Sequence, residues 1–290
     1  MKRALTWLSL LGVIGLAAAL WLTRPAVVDP ERIASLQGDA ARGEAVFWAG
    51  GCASCHKAES GDDDLALPGG RRFTTRFGTF VAPNISSHPT HGIGGWSVFD
   101  FASALLHGTS PEGRHYYPAF PYTSYTRMND QDVADLWAFM QTLPASPVAS
   151  LPHELEFPFN VRAPLGAWKA LFLTSAWVRP AETPEQERGR YLVEALGHCA
   201  ECHTPRNFLG GSVASAWMEG APHPAGRGRI PGLVPSALDW SEEDIAYYLE
   251  TGFTPDFDSA GGEMAEVVAT IGRLAPEDRV AIAKYIKALE

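Results

Sequence analysis

A five-residue pattern that occurs twice constrains the fold of this chain most strongly. Cys52-Ala53-Ser54-Cys55-His56 is the first copy, and Cys199-Ala200-Glu201-Cys202-His203 follows 147 positions later (199 − 52). Two cysteines separated by two residues and followed at once by histidine form the attachment signature of c-type haem. Each cysteine adds across one vinyl group of the porphyrin, and the histidine ligates the iron. The sequence therefore predicts two covalent haem c groups, with His56 and His203 as proximal ligands.

The use of cysteine argues against other chemistries for these motifs. The chain contains 4 cysteines, and the two motifs account for all of them, so no thiol is left for a structural disulfide. A thioredoxin-like dithiol does not need a histidine directly after it, and still less twice. A zinc site built from both cysteine pairs would require neither His56 nor His203. Haem attachment is the interpretation that uses every residue of the pattern.

Length and charge limit the architecture and the partners. A chain of 290 residues has room for about two domains. Its 23 lysine and arginine residues against 33 aspartate and glutamate residues give a net charge of −10. Nucleic acid is therefore not expected as a partner, because phosphate binding needs clustered cations. The negative charge permits docking to a protein with a positive patch.

The N-terminal segment predicts a membrane location. Lys2 and Arg3 precede an uncharged run from Ala4 to Leu22, and about 20 apolar residues suffice to cross a bilayer as a helix. The positive-inside rule keeps the two cations cytoplasmic and sends the remaining chain outward. A cleaved signal peptide is the alternative, since residues 17–19 are small alanines. We expect residues 1–24 to be an uncleaved transmembrane anchor in the inner membrane, with the haem domains in the periplasm.

The repeat extends well beyond the haem motifs and defines two similar halves. An Arg-Gly pair lies about ten residues before the first cysteine of each motif. Each half then has a tryptophan, a serine with an acidic residue three positions later, and a glycine, which together predict a helix with a capping box and a glycine stop. These pairs share an offset of 144 positions: Trp96 with Trp240, Ser97 with Ser241, and Gly108 with Gly252. A closing helix is predicted from Asp130 in the first half and from Pro276 in the second.

This pattern predicts a mainly α fold with two tandem domains. The first cytochrome-like domain is expected over residues 36–145 and the second over 185–290. An aromatic, proline-rich strap over 146–184 is too apolar for a free linker and is expected to pack across both domains. Residues 61–95, which are rich in glycine and proline turn signals, are expected to be loop.

Several longer stretches resemble one family. They are Phe77-Gly78-Thr79, Ala82-Pro83-Asn84-Ile85, Gly92-Ile93-Gly94-Gly95-Trp96, Tyr117-Pro118-Ala119-Phe120-Pro121-Tyr122, Cys202-His203-Thr204-Pro205-Arg206-Asn207 and Gly261-Gly262-Glu263-Met264. Over residues 36–290 the chain resembles the di-haem cytochromes c and is similar to cytochrome subunits of periplasmic alcohol, aldehyde and gluconate dehydrogenases. The resemblance implies class I cytochrome c domains and one-electron transfer. Many such subunits carry three haems, whereas this chain has motifs for two.

The distal iron ligands are predicted to be methionines. Met264 is predicted to lie in a glycine-led loop between the second and third helices of its half, where the family places its methionine, while its rival Met218 is too close to the haem motif. The offset of 144 carries Met264 back to Phe120, where relatives often have methionine. We therefore predict Met128, eight residues further on, as the distal ligand of the first haem.

Other residues could replace Met128 in that role. His115 would give a bis-histidine iron, and His107 is a further candidate. Met140 lies within the predicted closing helix and is expected to belong to the core.

These residues predict an electron carrier with no catalytic residues of its own. A periplasmic dehydrogenase is the expected electron donor, and a soluble cytochrome, a quinone or a terminal oxidase is the expected acceptor. The alternatives are a di-haem redox enzyme of the peroxidase or thiosulfate dehydrogenase type, with its chemistry at the first haem, and a subunit of a membrane oxidase.

Overall fold

A computed structural model describes residues 2–58, 63–226 and 228–289, and these residues are mainly helical, as predicted. The α-helices are α1 Lys2–Leu22, α2 Ala40–Ala49, α3 Cys52–His56, α4 Val98–His107, α5 Tyr122–Tyr125, α6 Asp130–Met140, α7 Leu165–Phe172, α8 Pro184–Arg190, α9 Ala200–His203, α10 Glu242–Thr251, α11 Glu263–Ile271 and α12 Pro276–Lys287. Short 3₁₀ turns lie at Pro30–Arg32 and Ala214–Ala216, and a π-helix at Tyr191–Leu196 continues α8. We call residues 40–140 the first unit and residues 184–287 the second unit.

Each unit is built on a close crossing between its first and last helices. Helix α2 crosses α6, and α8 crosses α12. At the crossings lie Gly43 and Gly189, where an added Cβ would come within 2.0 Å of the carbonyl oxygens of Asp135 and Ala281. Only glycine lets the two backbones approach so closely. The repeated Arg-Gly pair therefore marks the point where the opening and closing helices touch.

The predicted helix caps are confirmed in both units. Ser97 and Ser241 each accept a hydrogen bond from the backbone N–H three residues later, and the acidic side chain there accepts from the serine N–H in return. This reciprocal pair satisfies two N–H groups that a helix start leaves without partners. Gly108 and Gly252 end α4 and α10 in the left-handed conformation, at φ 60° and 78°.

The region expected to be loop contains a β-hairpin. Strands β1 (Arg72–Thr75) and β2 (Gly78–Val81) pair antiparallel, and Thr79 exchanges backbone hydrogen bonds with Glu154 of the strap. Threonine, valine and phenylalanine dominate both strands, and these residues favour extended backbone. A second short pair joins β3 (Ala221–Pro222) to β4 (Arg229–Ile230). Positions 61 and 62 of the predicted loop lie outside the described residues.

The strap contains α7, a helix that its proline-rich sequence did not predict. The Lys169 side chain on α7 donates hydrogen bonds of 2.7 Å to the carbonyl oxygens of His107 and Gly108 in the first unit. The Trp168 indole donates to the carbonyl oxygen of Leu209 in the second unit at 2.9 Å. One short helix thus bonds to both units.

Helix α1 ends against the strap and the first unit. The backbone carbonyl of Thr23 accepts a 2.9 Å hydrogen bond from His115 Nε2, and it lies against Gly166 of α7. Over the residues that the structure describes, no helix meets the combined length and hydropathy required of a membrane span. The transmembrane anchor over residues 1–24 stays a prediction.

Candidate haem sites

Each cysteine pair lies on one turn of helix. The first motif forms α3, which starts after Gly51, a glycine in the left-handed conformation at φ 62°. In the second motif Cys199 caps α9, which contains Cys202 and His203. Residues three and four apart share one face of a helix, so the two sulfurs and the imidazole of each motif point to the same side. That is the side on which a porphyrin would attach.

Both proximal histidines have the same second partner. His56 Nδ1 lies 2.8 Å from the carbonyl oxygen of Pro83, and His203 Nδ1 lies 2.8 Å from that of Pro231. A carbonyl oxygen only accepts, so Nδ1 carries the proton and Nε2 keeps its lone pair free for a metal. Burial lowers the pKa of both imidazoles, which favours this neutral form. The geometry fits iron ligation through Nε2.

The cysteines lie in surroundings that suit an apolar cofactor. Burial raises the pKa of the Cys52 and Cys199 thiols to about 12, and that of Cys202 to about 11. Burial therefore disfavours the thiolate at neutral pH, which does not suit a redox dithiol. Among the described residues, no cluster of three or more histidine, cysteine, aspartate or glutamate side chains could hold a metal ion by itself.

A buried donor beside the second motif also fits an incoming acidic group. Trp217 Nε1 is enclosed and has no hydrogen-bond partner among the described residues. The same turn is tied to the motif, because the Gly220 N–H donates to the carbonyl oxygen of His203 at 2.8 Å. An unsatisfied buried N–H costs about 1–3 kcal/mol, and haem brings two carboxylates that could accept from it.

The predicted distal residues occupy different settings. Met264 lies in the first turn of α11 and is half-buried, whereas a loop position was expected. Gly262, at φ 56°, caps the start of this helix. Met128 lies between α5 and α6, where it is 4% exposed and belongs to the apolar core.

Phe120 and the alternative candidate ligands are engaged in contacts of their own. Phe120 packs its ring against Tyr116, Tyr122 and Tyr125. His115 donates to Thr23 at the end of α1, which directs that ring nitrogen away from an iron. Met218 and Met140 are fully enclosed core side chains.

The two motifs contact the opposite unit in a reciprocal manner, which the sequence analysis did not foresee. Ser54, at the third position of the first motif, donates to the carbonyl oxygen of Glu266 on α11 at 3.3 Å. Glu201, at the third position of the second motif, accepts from the Thr123 hydroxyl on α5 at 2.6 Å. In each case the motif of one unit bonds to the short helix that precedes the closing helix of the other. The only sequence signal was a polar residue at the third position of both motifs.

Further contacts join the same surfaces. Lys57, directly after the first motif, forms a 2.9 Å ion pair with Glu266. Tyr125 of the first unit donates to the carbonyl oxygen of Gly50 at 2.8 Å, and its ring packs edge-on against His198, directly before the second motif. The two attachment sites therefore lie next to each other across the interface.

Comparisons with known proteins agree with this geometry. A sequence profile of the cytochrome c family matches residues 40–144. A di-haem c-type cytochrome of Cereibacter sphaeroides is 60% identical over 99% of this chain and 98% of its own length. The fructose dehydrogenase cytochrome subunit of Gluconobacter japonicus is 36% identical over 90% of this chain. A nicotinate dehydrogenase subunit of Pseudomonas putida is 37% identical over the whole chain.

Coverage of the relatives is unequal. The chain spans nearly all of the Cereibacter protein, but about half (54%) of the fructose dehydrogenase subunit and a quarter (25%) of the nicotinate dehydrogenase subunit. The match along the full length of the Cereibacter protein includes both attachment motifs. The chain belongs to the di-haem c-type cytochromes and carries two covalent haem c groups.

Proposed function

We propose that this cytochrome relays electrons from a periplasmic dehydrogenase to the respiratory chain. The bound haems supply one-electron redox chemistry. The observation that supports a relay is the reciprocal interface, because it places the two attachment sites side by side. The protein's own part is to hold two haems in fixed positions and to tune them through ligation and burial. The relatives whose names include a dehydrogenase support the identity of the donor.

We propose His56 with Met128, and His203 with Met264, as the axial ligand pairs. Hydrogen bonds link the backbone at Met128 to the residues just before the first motif. The Met128 N–H donates to the Tyr125 carbonyl oxygen, and Tyr125 Oη donates to the carbonyl oxygen of Gly50. Methionine opposite histidine gives a high reduction potential and leaves no open position for a substrate. This pairing suits an electron carrier better than a peroxidase.

Substituting each methionine tests the ligand pairs. In the oxidised protein a weak far-red charge-transfer band reports methionine bonded to iron. Met128→Ala and Met264→Ala are each expected to lose about half of that band, because each removes one of two such bonds. Met140→Leu, a core change outside the proposed sites, should keep all of it. A wild-type protein that contains a high-spin haem and binds cyanide or peroxide readily would instead indicate an enzyme.

We further propose that residues 1–24 anchor the protein in the inner membrane, with both units in the periplasm. Helix α1 supports this, because large apolar side chains such as Trp7, Leu11, Val13 and Trp21 are exposed on it. Exposed apolar surface of this extent is costly in water and favourable in lipid. An anchored carrier could pass electrons to a quinone, a soluble cytochrome or a terminal oxidase.

A deletion strain tests the relay and its location together. Oxygen uptake is measured with alcohol, gluconate, fructose and nicotinate, the substrates in the names of the relatives. Uptake on at least one substrate is expected to fall and to be restored by the full chain, recovered with the membrane fraction. A His203→Ala chain, which lacks a proximal ligand, should not restore uptake. Unchanged uptake on every substrate would contradict the proposed donor class.

A further inference from the structure

The segment around Met128 is held by the second unit. Met128 has Arg127 on one side and Asn129 on the other, and both neighbours bond to the π-helix that precedes the second haem motif. Asn129 donates from its backbone N–H and its side-chain amide to Tyr191 Oη, at 3.2 and 3.0 Å. Tyr191 Oη in turn donates to Asp132 on α6 at 2.6 Å. One hydroxyl of the second unit thus fixes the start of α6 directly after Met128.

The other neighbour is fixed by a buried charge pair. Arg127 Nε lies 3.8 Å from a carboxylate oxygen of Glu194, and their side chains are 6% and 0% exposed. The guanidinium also donates to the carbonyl oxygens of Thr123 at 2.7 Å and Ala176 at 2.9 Å. With so little water nearby, the Arg127 charge is compensated chiefly by Glu194 and further by Glu201.

Glu194 itself is held by three hydrogen bonds. Its carboxylate accepts hydrogen bonds from the backbone N–H groups of Val178 at 2.8 Å and Arg179 at 3.1 Å, and from the hydroxyl of Tyr285 on α12. The strap, the closing helix and the π-helix of the second unit therefore all contribute to holding Arg127. Short π-helical turns often occur at functional sites, and this one separates α8 from the second motif.

From these contacts we propose that Tyr191 and Glu194 are positioning residues for the distal ligand of the first haem. They belong to the second unit and hold both neighbours of Met128, so the methionine–iron bond of one haem depends on the folded state of the other unit. This inference rests on the proposed ligation by Met128. It also accounts for how Met128, which lies outside any helix in the connection between α5 and α6, is kept in place.

The test isolates the first haem by working in a Met264→Ala background, where the remaining far-red band belongs to Met128. Tyr191→Phe removes only the hydroxyl, whereas Glu194→Gln removes the charge and one of the two oxygens that accept hydrogen bonds. Both are expected to lose most of the remaining band and to lower the reduction potential of the first haem, because methionine ligation raises it. Two haems per chain and the helical circular dichroism should be retained.

Asp130→Asn is the matched control. It also converts a carboxylate to an amide, two residues from Met128, but its ion pair is with Arg32 of the same polypeptide half rather than with the second unit. It should keep both the band and the potential. If Glu194→Gln fails to fold, Tyr191→Phe decides the question.

The results distinguish a wrong assignment of Met128 as ligand from a wrong assignment of Tyr191 and Glu194 as positioning residues. If Met128→Ala in the same background keeps the band, the ligand assignment in the proposed function is wrong. If Met128→Ala loses the band while Tyr191→Phe and any folded Glu194→Gln protein match the control in band and potential, the ligand assignment holds and the positioning role is overturned.

Discussion

Asp135 on α6 shows how one buried carboxylate can join the opening and closing helices of a unit. It accepts from the backbone N–H of Asp39 at 2.7 Å, from Arg42 Nε at 2.7 Å and from the Gln131 amide at 2.8 Å. Burial alone would raise the pKa of this carboxyl. The hydrogen bonds from Arg42, the Asp39 N–H and Gln131 outweigh it and lower the pKa below its ordinary value of 3.8.

Asp135→Asn is expected to lower the free energy of unfolding by about 1.5–3 kcal/mol at pH 7, since it removes hydrogen bonds to a charged group. A carboxyl with a lowered folded-state pKa stabilises the fold above its ordinary, unfolded-state pKa of 3.8, and loses that effect as pH falls through the folded-state value. The difference between variant and wild type should therefore be complete at pH 7 and shrink below about pH 3.8.

Denaturant unfolding at pH 7 and pH 3 measures this difference. Glu112→Gln is the control, because its ion pair with Arg114 is exposed and such pairs contribute about 0–1 kcal/mol. An equal difference between wild type and Asp135→Asn at both pH values would show that the charge of Asp135 is not what stabilises the crossing.

At the scale of the helix, the two glycines at the helix crossings are expected to tolerate no larger side chain. Gly43→Ala and Gly189→Ala would each place a methyl group within 2.0 Å of a backbone oxygen on the facing helix. Overpacking of this kind costs about 1–3 kcal/mol, which exceeds the gain of about 1 kcal/mol in helix propensity from alanine. Both variants should have lower unfolding midpoints in guanidinium chloride.

The control for the crossing is Gly261→Ala, where no atom lies within 4 Å of the added Cβ. Its midpoint should change little. Wild-type midpoints for Gly43→Ala and Gly189→Ala would mean that the helices separate easily at this point, and that the Arg-Gly repeat has another cause.

Local elements were predictable where neighbouring residues determine them. Ser97 with Asp100 and Ser241 with Asp244 are three positions apart, so the capping boxes could be read from the sequence. The haem motifs were predictable for the same reason. The β1–β2 hairpin was missed although its pairing is local, because each strand has only 4 residues, too few to show an alternating pattern. Helix α7 was missed because a proline-rich segment, taken alone, predicts extended chain.

At the scale of the molecule, sequence reasoning predicted two similar halves but not how they meet. Ser54 and Glu266 are 212 positions apart, and Tyr191 and Asn129 are 62 apart. Neither pair belongs to a periodic pattern, and no local preference of these residues indicates a partner. The apolar core is likewise continuous through both halves, including Phe47 and Leu136 of the first unit with Leu192 and Ile282 of the second.

The reciprocal contacts also bear on the origin of such a chain. Because the third motif position of each unit bonds to the short penultimate helix of the other, the two faces in contact are of the same kind. A single ancestral unit with both features would be self-complementary and could pair with its own copy about a two-fold axis. Joining two copies through the strap makes that pairing intramolecular. After fusion the two halves are free to diverge without losing their partner.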